Sequence, residues 1–325
     1  MSIAEGAAMG LLPSLRTPVV LLIYHRPQTT RQVFARVREA RPETLLVIAD
    51  GPRPGDADDA AACRAAREVA EAVDWPCRVL RQYAATNLGL RERFASGLGW
   101  AFSQVEEAII LEDDCLPEAT FFAFCEELLA RYRSEPRVMM LSGNDMSRQV
   151  AAAGGDSYRF TRYAHVWGWA TWRRAWQQYD PDMCDWPRLR TSGWLEKILG
   201  DRRAVRYWTR LFDDTHAGRI NTWDYQWQYS CWRAGALSVE PHGNLVSNIG
   251  FGALATHTGG HNPFAALPTQ PMRFPLVHPP GLSVDSVVDR ERQTMRYPSV
   301  VGRLRDRVRL TVERLLAGRR ERGGP

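Results

Sequence analysis

Three adjacent carboxylates follow a short apolar segment near the middle of the chain. Residues 108–111 read Ala-Ile-Ile-Leu, and Glu112, Asp113 and Asp114 come directly after them. A short apolar run with β-branched residues predicts a buried strand, and open α/β sheets bind ligands just beyond the carboxyl ends of their strands. Three neighbouring carboxylates repel one another, so they indicate a place where a cation or the hydroxyl groups of a ligand compensates their charge. The alternative is a solvated acidic turn.

The oxygen atoms of this acidic triplet suit a hard divalent cation. Mg²⁺ and Mn²⁺ prefer carboxylate oxygens and often share their coordination with the phosphate groups of a substrate. The triplet therefore predicts a site at which a divalent metal meets a nucleotide diphosphate.

The segments around the triplet alternate between strand and helix patterns. The predicted strands cover residues 19–24, 45–49, 78–80, 108–111 and 138–141. The predicted helices begin with a cap at Thr29 or Thr30, at about residue 58, after residues 87–90 and at about residue 119. This alternation is typical of crossover units in a largely parallel sheet. Asp50 and Asn87 also follow strands, so we expect them to lie near the triplet at one edge of the sheet.

The sequence changes character after about residue 146. Ten of the twelve tryptophans lie between Trp167 and Trp232. Helices are predicted at 203–216 and 222–233, and short strands at 238–240 and 245–249. Tryptophan faces can cover the apolar side of a sugar ring, but tryptophans four residues apart usually pack in a core. We predict that most of the ten are structural and that Trp167 or Trp169 lines the site.

Charge and cysteine usage limit the function classes. The net charge is +5, and the last 25 residues alone contribute +5 through eight arginines and three acids. The rest of the chain is nearly neutral, which argues against a general nucleic-acid-binding surface. The six cysteines are scattered without a C-x-x-C pair, which is typical of free thiols in a reducing compartment. No signal-peptide pattern and no apolar run of about 20 residues is evident.

These observations predict a cytoplasmic protein in four parts. Residues 1–17 form a flexible leader, 18–145 the α/β half that carries the acidic triplet, 146–280 the tryptophan-rich half of the same domain, and 281–325 a basic helical tail. The apolar and basic positions of residues 301–322 indicate an amphipathic helix. Such a helix either packs on the domain with a solvated basic face or docks peripherally on the anionic inner face of a membrane.

Taken in order, the motifs resemble glycosyltransferases of the GT-A fold. The likeness covers about residues 18–260 and is strongest to a bacterial group that uses nucleotide-diphospho-sugars, distantly similar to N-acetylglucosaminyltransferase I. It rests on the segments at 24–27 (Tyr-His-Arg-Pro), 49–51 (Ala-Asp-Gly), 87–90 (Asn-Leu-Gly-Leu), 111–114 (Leu-Glu-Asp-Asp), 166–172, 222–227, 246–252 and 256–258. Relatives of this group carry an acidic pair after Gly-Phe-Gly, where this chain has Ala253 and Leu254.

The resemblance implies that residues 18–145 form a nucleotide-sugar-binding half and 146–280 an acceptor-binding and catalytic half. It also implies roles for several residues on the donor side. Asp114 would be the metal ligand, while Glu112 and Asp113 would meet ribose or donor-sugar hydroxyls. Asp50 would contact the nucleotide base, although an Asp before Gly can equally cap a turn. Asn87 would also bind the donor.

The diphosphate needs a cation near the first strand. Arg26 or Arg53 could hold it by charge-assisted hydrogen bonds, and either could equally be a surface ion-pair residue. Arg91 and Arg93 are weaker candidates. His257 could close over the diphosphate or add a metal ligand, or it could be an ordinary hydrogen-bonding residue.

Asp224 is the candidate general base. It lies in the segment Trp-Asp-Tyr-Gln-Trp, where aromatic neighbours could remove it from water and raise its basicity. The alternative is an acid in the first turn of a helix, favoured there by the helix dipole. Asp213, Asp214 and Asp145 are the other candidates.

The predicted fold is therefore α/β of the GT-A type, with a mostly parallel central sheet, helices on both faces and a tryptophan-rich acceptor-side subdomain. The predicted activity is a hexosyltransferase-type transfer, dependent on Mn²⁺ or Mg²⁺, from a nucleotide-diphosphate sugar to a hydroxyl group of a glycan, glycolipid or small molecule. Inversion is expected if Asp224 is the base. The sequence leaves open the donor sugar, the nucleotide base, the acceptor and a role in surface glycan synthesis.

Two other classes remain. A sugar nucleotidyltransferase shares much of such a sheet, but it normally has a glycine-rich loop after its first strand, where this chain reads Tyr-His-Arg-Pro at 24–27. A carbohydrate-binding protein without catalytic activity is the second alternative.

Overall fold

The computed structural model describes residues 14–146, 155–251 and 266–296. In its first half, parallel strands alternate with helices, as the sequence predicted. The elements are β1 (Val19–Ile23), α1 (Pro27–Ala40), β2 (Thr44–Ala49), α2 (Ala57–Glu71), β3 (Arg78–Tyr83), α3 (Leu90–Gln104) and β4 (Glu107–Glu112).

The second half mixes short strands with helices. The strands are β5 (Cys115–Pro117), β6 (Val138–Ser142), β7 (Tyr158–Thr161), β8 (Trp169–Trp172), β9 (Leu237–Pro241) and β10 (Val246–Asn248). The helices are α4 (Thr120–Tyr132), α5 (Arg173–Trp176), α6 (Trp186–Leu189), α7 (Trp194–Leu199), α8 (Arg202–His216), α9 (Asp224–Arg233) and α10 (Ser286–Arg296). Within the described ranges, no helix is both long enough and apolar enough to cross a membrane.

The central sheet has eight strands in the order β3-β2-β1-β4-β8-β6-β9-β7. The strands β1 to β4 run parallel to one another, and β6 runs parallel to β9. Only β8 and β7 pair antiparallel with their neighbours, so six of the eight strands share one direction. A separate two-stranded sheet joins β10 to β5. The predicted α/β fold with a mostly parallel central sheet is confirmed.

Both faces of this sheet are buried. In β1, Val19 and Leu21 belong to one apolar cluster with side chains of α1, α2 and α4, whereas Val20 and Leu22 belong to another with side chains of α3, α5 and α9. This two-sided burial explains why the first strands read as continuous apolar runs rather than as alternating patterns.

A third cluster is specific to the tryptophan-rich half. Trp186, Trp208 and Trp232 pack there against Phe212 and Tyr229. All five side chains come from the helices α6, α8 and α9. Eight of the ten tryptophans between residues 167 and 232 are buried, so most of them are structural, as their helical spacing indicated.

Three local details differ from the sequence predictions. Helix α1 begins at Pro27, and neither Thr29 nor Thr30 caps it, because proline at the first position is already suited to a helix start. The sequence predicts that Pro117 ends the strand at 108–111, but β4 already ends at Glu112, and Pro117 lies in β5 opposite Val246. The last residues of the predicted flexible leader pack against the domain. The side chain of Leu15 is buried, and its backbone N–H donates a hydrogen bond to the carbonyl of Ala40.

Buried ion pairs attach α10 to the sheet. Arg292 and Arg159 both donate to the carboxylate of Glu240, which is fully buried in β9. Arg159 also pairs with Asp145 at 2.5 Å. Burial alone would raise the pKa of Glu240, but the two guanidinium groups outweigh it and hold that pKa below its usual range. The predicted C-terminal tail thus contains a docked helix, while residues 297–325, with the predicted amphipathic segment, lie outside the described residues.

We expect Glu240→Gln to lower the free energy of unfolding by about 3–5 kcal/mol at pH 7, because it leaves buried arginine charge uncompensated. Because the pKa of Glu240 is lower in the folded protein than in the unfolded chain, its carboxylate stabilises the folded state when the pH is above the unfolded pKa. This contribution is lost as the pH falls through the folded-state pKa. The difference from the unmodified protein should therefore shrink below about pH 4. Urea unfolding at several pH values measures it, with the exposed Glu68→Gln as a control expected to have little effect at any pH.

Candidate active site

The acidic triplet lies where β4 ends at the carboxyl edge of the sheet. Glu112 is the last residue of β4, and Asp113 and Asp114 form the turn into β5. All three border a cavity of about 500 Å³, here called the central cavity. The triplet follows the buried strand β4, as predicted. Its three side chains border a cavity rather than forming a solvated acidic turn.

The central cavity brings together most of the residues singled out from the sequence. Its border includes Arg26, Asp50, Asn87, Glu112, Asp113, Asp114, Trp167 and Asp224. These residues come from the ends of β1, β2 and β4, from the loops after β3 and before β8, and from the start of α9. His257 lies outside the described residues.

Trp169 is placed differently from the expectation. It is fully buried in β8, and its ring stacks on Trp223 and packs against Trp227, each at a centroid distance of 5.6 Å. Its side chain thus belongs to the aromatic core rather than to the border of the central cavity. Trp167 does border the cavity and meets Phe251 edge to face at 5.6 Å.

Arg26 is the cation closest to the acidic triplet. Its Nη2 lies 2.6 Å from Asp113 Oδ1 and its Nη1 lies 2.7 Å from Asp114 Oδ2. The backbone N–H of Tyr24 also donates to Asp113 at 3.1 Å. These contacts follow from the topology, because β1 and β4 are neighbours and the loops after them meet at the same edge.

One arginine does not neutralise all three acids, of which Asp113 and Asp114 are buried. Burial, reinforced by the charge of Asp114, raises the pKa of Glu112 well above its usual value. Burial also raises the pKa of Asp113 to about 6, although Arg26 opposes the shift. The cluster therefore holds excess negative potential, which protons or a further cation can relieve.

This donor set fits a divalent cation only when the ligand completes the coordination. Among the described residues, no group of three Asp, Glu, His or Cys side chains surrounds a common metal position. The carboxylate of Asp114 nevertheless borders the cavity within a field of excess negative charge. Mg²⁺ and Mn²⁺ are often held by one or two carboxylates together with substrate phosphates and water, which such a site could accommodate.

The carboxylate of Asp50 is already engaged in hydrogen bonds within the protein. It accepts hydrogen bonds from the backbone N–H groups of Gly51, Leu88 and Gly89 and from the side chain of Asn87. It therefore holds the loop after β3 against the end of β2. These contacts favour the turn-capping alternative for Asp50, and Asn87 acts as its partner at the cavity border.

Asp224 begins α9 and borders the same cavity as the acidic triplet. The hydroxyl of Thr222 donates to its carboxylate, and its negative charge contributes to the raised pKa of Glu112. The neighbouring Trp223 stacks on Phe94 at 4.4 Å and forms part of the cavity wall. Asp224 thus combines its first-turn position with a place in the cavity.

The other candidate bases are engaged elsewhere. Asp213 pairs with Arg190 at 2.7 Å, and Asp214 pairs with Arg219 at 2.7 Å. Asp145 belongs to the buried ion pairs around Arg159 described above. None of these three acids borders the central cavity.

Arg93 marks the opposite end of the cavity from the triplet. The residues Gln82, Ile48, Leu22 and Glu112 form one row across four adjacent strands. Arg93, only 6% exposed, donates to Gln82 at one end of this row, and Glu112 is at the other. Three strand spacings separate these ends, about 14 Å. Between them, Ile48 and Leu22 form an apolar floor.

Asn221 also borders the cavity and was not singled out from the sequence. The side chain of Asn221 accepts a hydrogen bond from the backbone of Arg91 at 3.4 Å and so joins the loop before α9 to the start of α3. Gly250 lies against Asp114 and Arg26. No local pattern marks Asn221, because its place depends on contacts between distant segments, whereas Gly250 lies within the motif at 246–252.

Comparisons with known proteins show only weak similarity to solved structures. No family model matches the chain, and no curated protein matches it. Among solved structures, the mannosyltransferase PcManGT from Pyrobaculum calidifontis, in complex with GDP-Man and Mn²⁺, is 14% identical and has a TM-score of 0.35. The match covers 70% of this chain and 72% of that one.

Two other solved structures show the same range of similarity. Mouse xyloside xylosyltransferase 1 is 10% identical over 66% of this chain and 81% of its own, with a TM-score of 0.32. A UDP-glucose pyrophosphorylase complexed with UDP-glucose is 11% identical over 45% of this chain and 62% of its own, with a TM-score of 0.26. Likeness at this level does not assign a function, so the functional argument depends on the site.

We expect Gly250→Ala to disturb the acidic end of the cavity. A Cβ atom at this position would lie 2.0 Å from Asp114 Oδ2 and 2.7 Å from Arg26 Nη1. The clash should lower the free energy of unfolding by about 1–3 kcal/mol, the usual effect of overpacking. Denaturant unfolding checks this, with Gly99→Ala as the control, since a Cβ there meets nothing within 4 Å. Equal effects of the two substitutions would contradict the close packing at Gly250.

Proposed function

We propose that the protein is a glycosyltransferase that moves a sugar from a nucleotide-diphosphate donor to a hydroxyl acceptor. The observation that carries this proposal is the composition of one cavity. Arg26, the acidic triplet and Asp224 all border it, although they come from three distant parts of the sequence. A guanidinium and acids suited to a metal and a diphosphate thus face a separate carboxylate that could accept a proton.

On this proposal, the two ends of the cavity hold different parts of the donor. The apolar floor of Leu22 and Ile48, with the guanidinium of Arg93 at its end, suits a flat base that offers a carbonyl oxygen. Arg26 and Asp114 lie at the other end, where the diphosphate would bind, and Glu112 and Asp113 would meet hydroxyl groups. Mn²⁺ or Mg²⁺ held by Asp114 would supply Lewis-acid stabilisation of the leaving diphosphate.

The acceptor side is assigned to α9 and its preceding loop. Asp224 would take the proton of the acceptor hydroxyl as the bond to the anomeric carbon forms, and the hydroxyl of Thr222 would hold its carboxylate in place. A single carboxylate base on the acceptor side implies inversion at the anomeric carbon. Trp167 offers an apolar face for a sugar ring at the border of the cavity.

The acceptor is proposed to be a glycan, a glycolipid or a small molecule. A cytoplasmic location, with peripheral membrane contact through the basic residues 301–322, would place the enzyme near lipid-linked acceptors. In this division, residues 18–145 bind the donor and 146–280 bind the acceptor, within one continuous sheet.

A donor screen followed by a product assay tests the proposal. Nucleotide-diphosphate sugars are first ranked by thermal stabilisation in MnCl₂, because a ligand that binds the native state raises its stability. The best donor is then incubated with hydroxyl acceptors, and mass spectrometry should show release of nucleoside diphosphate and an acceptor heavier by one sugar. Pyrophosphate release from a nucleoside triphosphate and a sugar phosphate would instead indicate a nucleotidyltransferase. Metal-dependent donor binding without turnover would indicate a carbohydrate-binding protein.

A further inference from the structure

Arg26 contacts the carboxylate of Asp114, which is the proposed metal ligand, and also that of Asp113. Its two terminal nitrogens contact Asp113 Oδ1 and Asp114 Oδ2 separately, so one guanidinium bridges two carboxylates. The side chains concerned are 18%, 3% and 11% exposed, so water screens this contact only weakly. In this arrangement, Arg26 serves as the counter-cation of the acid pair.

The backbone after β10 closes over this contact. Ile249 donates its N–H to the carbonyl of Asp114 at 2.8 Å, and Gly250 donates to the side chain of Asn248 at 2.9 Å. There is no room for a Cβ at Gly250, because it would overlap Asp114 and approach Arg26. A cation therefore cannot approach Asp114 Oδ2 from the Gly250 side, and on the other side it meets the guanidinium.

We propose that Arg26 is an exchange residue that makes divalent-cation binding depend on the diphosphate. Without a donor, Arg26 holds Asp113 and Asp114. An incoming diphosphate offers the guanidinium equally good charge-assisted hydrogen bonds, and Arg26 moves from the carboxylates to the phosphate oxygens. This movement leaves Asp114 Oδ2 open to the cation. The inference rests on the proposed function, since it takes the diphosphate of the donor as the ligand.

The physical basis is competition between two cations for the same oxygens. Guanidinium binds carboxylate and phosphate with the same planar fork, so exchange between them requires little reorganisation. A divalent ion and a guanidinium on one carboxylate pair would repel each other. The cation and the diphosphate should therefore bind with positive coupling, and the coupling must be equal in both directions.

The decisive measurement is Mn²⁺ affinity without any nucleotide. Electron paramagnetic resonance of free Mn²⁺ is recorded against the full-length protein and against Arg26→Gln. Because the variant lacks the competing cation, it should bind Mn²⁺ at least about fivefold more tightly, the lower end of usual coupling between sites. The variant Arg31→Gln, exposed on helix α1 shortly after Arg26, should match the unmodified protein. Affinity that is unchanged or weaker in Arg26→Gln overturns the proposal.

Two additional variants locate the effect and guard against misfolding. Adding Asp114→Asn to Arg26→Gln should remove the gain in Mn²⁺ affinity, and a gain that persists would place the cation elsewhere and overturn the proposal. If Arg26→Gln fails to fold, as judged by circular dichroism, Arg26→Met replaces it, because methionine removes the charge but keeps a flexible unbranched side chain at that position. It should bind Mn²⁺ more tightly than the unmodified protein, and equal affinity would count against the exchange.

Inorganic pyrophosphate tests the coupling itself. Added at saturating concentration, with correction for the Mn²⁺ complex that it forms in solution, it should tighten Mn²⁺ binding to the unmodified protein more than to Arg26→Gln. An equal gain in both proteins would show that Arg26 does not transmit the effect. None of these readouts requires sugar transfer, so failure of the exchange proposal and failure of the proposed transferase activity are distinguishable.

Discussion

Asp224→Asn should lower sugar transfer by about 10²- to 10⁴-fold, the usual contribution of a general base. Asparagine keeps the shape of the side chain and can still accept the hydrogen bond from Thr222, but it cannot take a proton. The loss should appear in kcat, while the affinity for the donor stays close to that of the unmodified protein, because Asp224 is assigned to the acceptor side.

The measurement is the initial rate of nucleoside diphosphate release in the presence of the acceptor identified by the product assay. Asp58→Asn is the matched control, since Asp58 is an exposed acid in the first turn of α2 and does not border the cavity. Full activity in Asp224→Asn would remove this residue as the base. Equal losses in both variants would point to a general effect on the protein rather than to chemistry.

Asp114→Asn should abolish the response to Mn²⁺ and lower transfer by about 10²- to 10⁴-fold, because Lewis-acid stabilisation of a leaving diphosphate is worth several kcal/mol. The substitution removes one carboxylate charge but leaves Asp113 to pair with Arg26. The protein should therefore remain folded, and the effect should be specific to the metal.

Thermal unfolding with and without MnCl₂ and donor separates binding from chemistry. The unmodified protein should gain stability from donor and Mn²⁺ together, whereas Asp114→Asn should gain only from the donor. A variant that still responds to Mn²⁺ and transfers sugar at the normal rate would rule out Asp114 as the ligand. Asp58→Asn again serves as the control for a lost surface carboxylate.

Local patterns were sufficient for the first half of the fold. Strands β1, β2 and β4 are apolar runs buried on both faces, and helices of fitting length connect them, so a parallel arrangement was predictable from the sequence. The weak pattern at 78–80 continues to Tyr83 in the structure, because β3 pairs with β2 along its whole length. Strand β5 was missed because a three-residue strand depends on its partner β10 rather than on its own pattern.

The tryptophans show where local patterns stop being informative. Trp167 and Trp169 are two residues apart and equally suited to a sugar ring, yet one borders the cavity and the other is fully buried. What separates them is the packing of Trp223 and Trp227 from α9 onto β8. Asp50 is a similar case, because the turn that occupies its carboxylate comes from residues 87–89.

The sequence by itself determined the fold class and the edge of the sheet at which acids collect, because buried strands, helix spacing and the order of motifs are properties of short segments. Only the tertiary structure decided which side chains meet there. Arg26 contacts Asp114 across 88 residues of sequence, and Gly250 closes over both. Contacts of this kind depend on how neighbouring strands align their ends, and no single segment encodes that alignment.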